Sequence, residues 1–345
     1  MKQDSSRRSF FRTTFGSTMV AALAQNALAQ QDSPNGLPTR KLGRTNEQVS
    51  ILCLGGWHIG AAGNEDRKEA IRIMHRAIDE GMTFFDNAWD YHDGGAEDLM
   101  GEALALDSHR DKVFLMTKNC EIDYEGSKRN LEDSLRRLRT DYLDLWQFHE
   151  MNYDNKPDWV FDEGGLKYAL EAQKAGKVRH IGFTGHKDPR IHLKMLGKPY
   201  GWASSQMPIN IMDTHYRSFQ KEVVPVCLEK NVGVIGMKSL GGTPDWDKGG
   251  YLASIPSKTQ VTAEECIHYA LSLPVSTLCV GIRSMKDLDQ SLNIGRDFKP
   301  MDDSTKERLI AMTKHEGGDG RHELFKSTQR FDGPHHRKRH GFALG

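Results

Sequence analysis

Cysteine is sparse: five residues, Cys53, Cys120, Cys227, Cys266 and Cys279, odd in number and widely spaced. No CxxC pair and no Cys/His cluster at zinc spacing occurs. The reading is buried free thiols, with neither a disulfide framework nor a metal expected. Excess charge is absent as well. Lys+Arg and Asp+Glu both number 47 in 345 residues, so no basic field points to a nucleic-acid partner. No stretch reaches the ~18 consecutive apolar residues of a membrane helix, and no stable membrane insertion is expected. A glycine-rich dinucleotide turn is also missing. Gly55-Gly56-Trp57-His58-Ile59-Gly60 follows the first apolar run but lacks the GxGxxG spacing, which weighs against a doubly wound sheet.

What is present suits a globular chain with a real core: 37% hydrophobic and 27% charged residues. Apolar runs at 51–55, 82–87, 113–118, 143–149, 178–184, 203–207, 232–238 and 277–282 read as strands. Helical periods lie between them near 67–80, 96–106, 127–139, 160–175, 189–196, 219–230, 262–273 and 286–294. This alternation predicts an α/β fold, a (β/α)8 TIM barrel. A short hairpin over 40–50 caps its start, and a helix over Ser304 to His315 extends its end.

The ends read differently. Arg7-Arg8 in a basic start, a short apolar stretch from Phe15 to Ala24 and Ala27-Leu28-Ala29 have the order of a twin-arginine export signal over residues 1–30. The chain would then be exported to the periplasm by the twin-arginine machinery, or remain cytoplasmic if the signal is not used. A turn-rich linker, 31–38, leads into a barrel domain over 39–316. Residues 317–345, with His335-His336-Arg337-Lys338-Arg339-His340, read as a basic, solvated tail, with metal or anion binding there as the minority alternative. The stretch from Gly241 to Thr259 is long and rich in Gly, Pro, Asp and Lys, a candidate flap.

Three consecutive strands deliver Asp86 with Tyr91, Lys118, and His149 to their C-terminal ends. In a parallel barrel those ends share the catalytic face. Singly, each residue has an ordinary use as a cap, rim aromatic, strand end or core histidine; together they suit a proton relay. An ammonium beside a phenol lowers its pKa, a carboxylate fixes the ammonium, and a histidine orients a substrate oxygen. Hydride must come from a cofactor, because no side chain donates one.

From about residue 40 to 296 the chain resembles the aldo-keto reductases. Asp86-Asn87-Ala88, Tyr91 and Glu97 are similar to the DxAxxYG…E signature, and Leu135 to His149 to the LxxLxxDYLDL…H segment. Gly182-Phe183-Thr184, Gln206 and Gly281-Ile282-Arg283-Ser284 fall at further family positions. The resemblance implies an oxidoreductase that interconverts a small-molecule aldehyde or ketone and its alcohol with NADP(H), NAD(H) being the alternative. In that reading Tyr91 is the acid, Lys118 and Asp86 tune it, and His149 orients the carbonyl. Thr184 and Gln206 hold the nicotinamide amide, and Met237 stands where an aromatic usually stacks. Lys238, Gly281, Arg283, Ser284 and Gln290 complete the cofactor region, with the planar fork of Arg283 favouring a 2′-phosphate. The substrate walls would be Trp57, His58, Trp89, Glu150 and His186. Besides Met237, three departures stand out: Thr184-Gly185 for Ser-Asn, His92 for the Gly after the tyrosine, and Gln290-Ser291 for Glu-Asn. Two other classes stay open: a nicotinamide-binding sensing or regulatory barrel with little turnover, and a metal-dependent sugar isomerase or hydrolase.

Overall fold

A computed structural model describes residues 23–25, 27–31, 36–245 and 250–344. The Arg7-Arg8 motif, part of the linker and the tip of the candidate flap, 246–249, lie outside the described residues. Twelve strands occur among those described. Strands β1 (Thr39–Lys41) and β2 (Gln48–Ser50) form an antiparallel hairpin. The barrel follows with β3 (Leu52–Gly55), β4 (Phe84–Asp86), β5 (Phe114–Asn119), β6 (Leu143–Phe148), β7 (Val178–Thr184), β8 (Ser204–Pro208) and β9 (Gly233–Met237). A second hairpin, β10 (Thr243–Asp245) with β11 (Gly250–Leu252), falls in the candidate flap. Strand β12 (Thr277–Val280) pairs in parallel with both β9 and β3 and closes the barrel. All eight expected barrel strands are therefore present and in the expected order.

Strand alternation sorts each barrel strand into inward and outward sets. Phe84, Phe114, Met116 and Leu145 fill the lower interior with Cys53 and Ile235. Leu42 and Val49 of the first hairpin join that cluster, so the hairpin plugs the N-terminal end of the barrel. Gly43 makes this possible: its φ is +50°, and a Cβ there would collide with the backbone of Gly233. One period above the apolar layer, the same inward rows carry Asp86 and Lys118 toward the opposite mouth. Outward residues such as Leu54, Phe85, Leu115 and Ile181 pack under the surrounding helices. A helix over Gly56–Glu65, immediately after β3, is an addition the sequence periodicity did not signal. The Ser304–His315 prediction is met by a helix over Asp303–Gly317.

The tail corrects the sequence reading. It is not solvated: Leu324–Ser327 and Pro334–Arg339 are helical and lie against the catalytic mouth. Phe325, Lys326, Asp332 and His336 are all buried. Burial of a charge is costly unless it is paired, and each of these charges finds a partner from the barrel loops. Lys326 Nζ donates to Asp213 Oδ1 at 2.7 Å, Tyr216 O at 2.8 Å and Glu323 Oε2 at 3.0 Å. Glu323 also accepts from Asn210 Nδ2 at 2.9 Å. Asp332 accepts from Asn152 at 3.1 Å, Tyr153 at 2.5 Å and Lys187 at 2.8 Å. Apart from the Glu323–Lys326 pair, these partners sit more than a hundred residues away, which is why local composition read as solvent-facing.

Burial pushes the Glu323 carboxyl up to about 7, with Lys326 opposing and Asp213 adding to the rise. A raised acid stabilises docking fully while protonated and loses that contribution as pH climbs through its folded value. Hydrogen exchange of residues 323–342 should therefore lose protection as pH rises from about 4.5 through about 7. Glu323→Gln should flatten that change. Lys326→Met leaves two uncompensated buried carboxylates, a cost of roughly 3–5 kcal/mol. It should speed tail exchange by ~100-fold or more while β4 to β6 stay protected. Unchanged tail protection in Lys326→Met would show that this knot does not hold the tail.

Candidate active site

Asp86 ends β4 and Lys118 lies on β5, where Asp86 is in register with Met116, one pleat below Lys118. Both side chains therefore rise along the same inward row, and Lys118 Nζ forms a buried ion pair with Asp86 Oδ1. An ammonium has three donors. Lys118 spends the others on Asn87 O at 2.7 Å and Tyr91 Oη at 3.4 Å. Asp86 Oδ2 also accepts from Gln206 Nε2 and Cys279 Sγ, each at 3.2 Å. Because Tyr91 accepts from Lys118, its own phenolic hydrogen remains available to a second acceptor.

Tyr91 sits in the 3₁₀ turn Tyr91–Gly94, where His92 and Asp93 adopt φ of 52° and 55°. His92 thus holds the left-handed conformation that glycine takes most easily. It stacks on Trp57 at 4.5 Å between ring centroids and bonds the Trp57 carbonyl at 2.8 Å. The Tyr91 ring contacts Trp57 edge-on at 5.4 Å and His149 at 5.8 Å. The four predicted catalytic residues do converge.

Their electrostatics differ from the sequence reading in one respect. Burial pushes the Tyr91 phenol well above its ordinary value, and Asp86 and Asp90 add to the rise. The ammonium that was to acidify the phenol is neutralised by its own carboxylate. Tyr91 is consequently a neutral hydrogen-bond donor in the ligand-free protein. Burial also lowers His149, against the pull of Asp90, so the imidazole is neutral.

The predicted wall residues separate into two groups. Trp57, partly exposed, flanks Tyr91. Trp89 donates to Asp133 at 3.3 Å and is covered by His335 of the tail at 5.4 Å. Glu150 is buried and accepts from Gly333 N at 3.2 Å; burial, then Asp332 and Asp90, lift its carboxyl to about 8. His186 lies under Asp332 and Phe325, at 3.3 and 6.2 Å, and burial holds it at about 4. His58 goes elsewhere: a Cβ on Gly281 would come within 2.7 Å of it, on the predicted cofactor side. Burial, with Lys238 and Arg283 nearby, lowers His58 to about 4.

On that cofactor side, Thr184 ends β7, and Gln206 on β8 has a buried Oε1 with no hydrogen-bond partner. An orphaned buried acceptor next to Asp86 fits a ligand amide. Met237 ends β9, and Lys238 Nζ lies over the rings of Phe325 and Phe331 at 5.4 and 6.0 Å. Ser284 caps the helix Met285–Arg296 reciprocally with Asp287. Arg283 and Gln290 are exposed on this helix and its entrance, Arg283 bonding Glu65 at 2.6 Å. A helix N-terminus flanked by an exposed guanidinium is a ready anion site.

Sequence reasoning missed Asp90, Cys120, Asn152, Lys156, Asp332 and His336, all within the same mouth. Lys156 is buried, donates to His149 O at 3.4 Å and contacts His336 Nδ1 at 2.7 Å. Only the His-rich tail carried a signal for any of them, and its polarity pointed outward.

Comparison with known proteins agrees with this architecture. The chain is 33% identical over 225 residues to the uncharacterized oxidoreductase YrpG of Bacillus subtilis, covering 58% of this chain. It spans 66% of that relative's own length, and 60% of that of the aldo-keto reductase YhdN of Bacillus subtilis, so less than two thirds of each. The aldo-keto reductase AKR11C1 from Bacillus halodurans (holo form) shares the fold, with a TM-score of 0.65 and 24% identity over 79% of this chain and 95% of its own. An aldo/keto reductase from Klebsiella pneumoniae in complex with NADP and acetate superposes with a TM-score of 0.62, at 21% identity over 78% of this chain and 93% of its own. Residues 51–244, more than half of the chain, match the model of the Aldo/keto reductase family, and the chain belongs to that family.

Proposed function

We propose that this protein is an NADP(H)-dependent oxidoreductase that interconverts an aldehyde or ketone and its alcohol. The observation carrying this reading is the three-way use of Lys118, which holds Asp86, the Asn87 carbonyl and the Tyr91 oxygen at once. With its oxygen fixed from behind, Tyr91 presents its hydrogen to the carbonyl oxygen of a substrate. His149, neutral and one ring away, donates to the same oxygen and orients it. As the oxygen gains charge, the Tyr91 proton moves onto it; positioned acid catalysis of this kind contributes ~10²–10⁴ in rate. A nicotinamide cofactor, when bound, supplies the hydride to the carbon. Gln206 Oε1 and Thr184 suit its carboxamide, Met237 offers a polarizable face to its ring, and Arg283 at the helix entrance suits a 2′-phosphate. The NADP in the Klebsiella pneumoniae structure supports this choice.

One observation favours the alternative of a nicotinamide-binding barrel with little turnover: the buried tail covers the mouth. Slow single-turnover hydride transfer without multiple turnover is the result that would select it.

The Arg7-Arg8 pair and the Ala27-Leu28-Ala29 site support export in the folded state with cofactor aboard. N-terminal sequencing of periplasmic protein should find cleavage after Ala29; intact Met1 in cytoplasmic protein alone would oppose it.

Tyr91→Phe should lower kcat by ~10²–10⁴ with NADPH affinity retained, read by nicotinamide fluorescence and steady-state aldehyde reduction. Equal turnover would remove Tyr91 from its role. Arg283→Gln should weaken NADPH about 10–100-fold, the loss of one charge-assisted contact, with NADH binding unchanged. Parallel losses for both nucleotides would reassign Arg283 to packing.

A further inference from the structure

Four side chains that the proposed reaction does not require together meet at the mouth. Asp90 precedes Tyr91 in its turn, Cys120 follows β5, His149 follows β6, and His336 comes from the last tail helix. One ligand-type atom from each lies within 4.8 Å of all the others. Asp90 Oδ1 is 3.4 Å from His149 Nδ1, Cys120 Sγ is 3.4 Å from the same nitrogen, and His336 Nε2 is 3.7 Å from Asp90 Oδ2. Bonds of ~2.0 Å to nitrogen and oxygen and ~2.3 Å to sulfur place tetrahedral ligands roughly 3.3–3.5 Å apart. Shifts of about an ångström or less in side-chain position would close the set around one ion.

Two further observations point to a ligand. Cys120, His149 and His336 are buried, His336 at 1% exposure. His336 Nε2 is a buried atom with no hydrogen-bond partner, and such an orphan in a well-packed protein calls for an ion or a water. The donor set selects the ion. One sulfur, two imidazole nitrogens and one carboxylate oxygen are too soft for Ca²⁺ or Mg²⁺, which take oxygen shells. They suit a zinc-class cation, and thiolate plus carboxylate balance a 2+ charge.

We propose that Asp90, Cys120, His149 and His336 form a binding site for one Zn²⁺-class divalent cation, which clips the tail to the catalytic mouth. Binding replaces the Cys120 S–H bond with a metal–sulfur bond, the proton leaving to solvent. His336 ligates through Nε2 with its ring hydrogen on Nδ1, where the Lys156 amine accepts it; a second proton leaves that pair. His149 ligates through Nδ1, which fixes its hydrogen on Nε2. Through that tautomer the metal would hold His149 as a donor to the carbonyl oxygen, a consequence that rests on the proposed reaction. The site itself does not.

The test uses the full chain, stripped with a chelator, loaded with zinc or cobalt(II), and cleared of excess metal. Wild type should retain about one zinc per chain, and its cobalt form should show a thiolate-to-metal charge-transfer band. Cys120→Ser should lose the band. His336→Gln should weaken zinc binding ~10-fold or more and should deprive the helix Pro334–Arg339 of the exchange protection that zinc adds in wild type. Circular dichroism of each metal-free variant, compared with metal-free wild type, establishes that the fold is kept. Should Cys120→Ser misfold, His336→Gln on the tail decides alone. Zinc retention no greater than in the Cys120→Ser/His336→Gln double variant, or a cobalt spectrum unchanged by Cys120→Ser, overturns the site. Neither readout needs turnover, so an active wild type that fails to retain zinc after loading refutes this site alone, and a zinc-loaded but inactive one refutes only the reductase reading.

Discussion

The buried ion pair between Lys118 and Asp86 is the constraint around which the mouth is built. Removing either charge from water costs several kcal/mol, and only close pairing with every remaining donor and acceptor satisfied repays it. Here the accounting closes through the chain's own groups. Lys118 uses its third donor on Tyr91, and Asp86 uses its second oxygen on Gln206 and Cys279. The barrel register fixes the pair, because Asp86 and Lys118 stand one pleat apart on neighbouring parallel strands. Tyr91 is thus held by the same geometry that makes the fold.

That arrangement explains why the phenol is not acidified. A cation stabilises a phenolate only to the extent that its field is not already cancelled. Burial raises the phenol most, and the Asp86 carboxylate, closer to Lys118 than Tyr91 is, and Asp90 add to the rise. What Lys118 contributes to Tyr91 is direction: with one oxygen lone pair occupied, the hydroxyl hydrogen is left for another acceptor.

Much of this was legible in the sequence, for a physical reason. Strand periodicity, and the switch to helical periodicity, survive in any chain that buries one face, so the barrel and the residues at its strand ends could be read directly. Departures from the family pattern were also legible, but their causes were not. Gly185 stands where a larger residue is usual because the Met151 carbonyl leaves no room for a Cβ. His92 stands where glycine is usual because its contacts with Trp57 offset a left-handed backbone that costs ~1–2 kcal/mol. The tail was illegible for a different reason. Asp332, Lys326 and His336 are polar in any local window, and only long-range partners such as Asn152, Lys187 and Asp213 make them interior.

A tail docked through ions behaves differently from one docked through apolar area. Hydrophobic burial is nearly indifferent to pH and to small ligands, whereas a set of buried charges answers to both. Glu323, Glu150 and Lys156 all have their ordinary ionisation shifted toward neutrality, chiefly because burial penalises their charged forms. Phe325 is the main apolar anchor, yet it too packs against Lys238 and His186 rather than a wholly greasy surface. Lys238, which neighbours the predicted cofactor residues, is thus also a contact of the tail. A ligand that engaged Lys238 would disturb this contact, and tail docking and occupancy of that site would then be coupled free energies rather than separate properties.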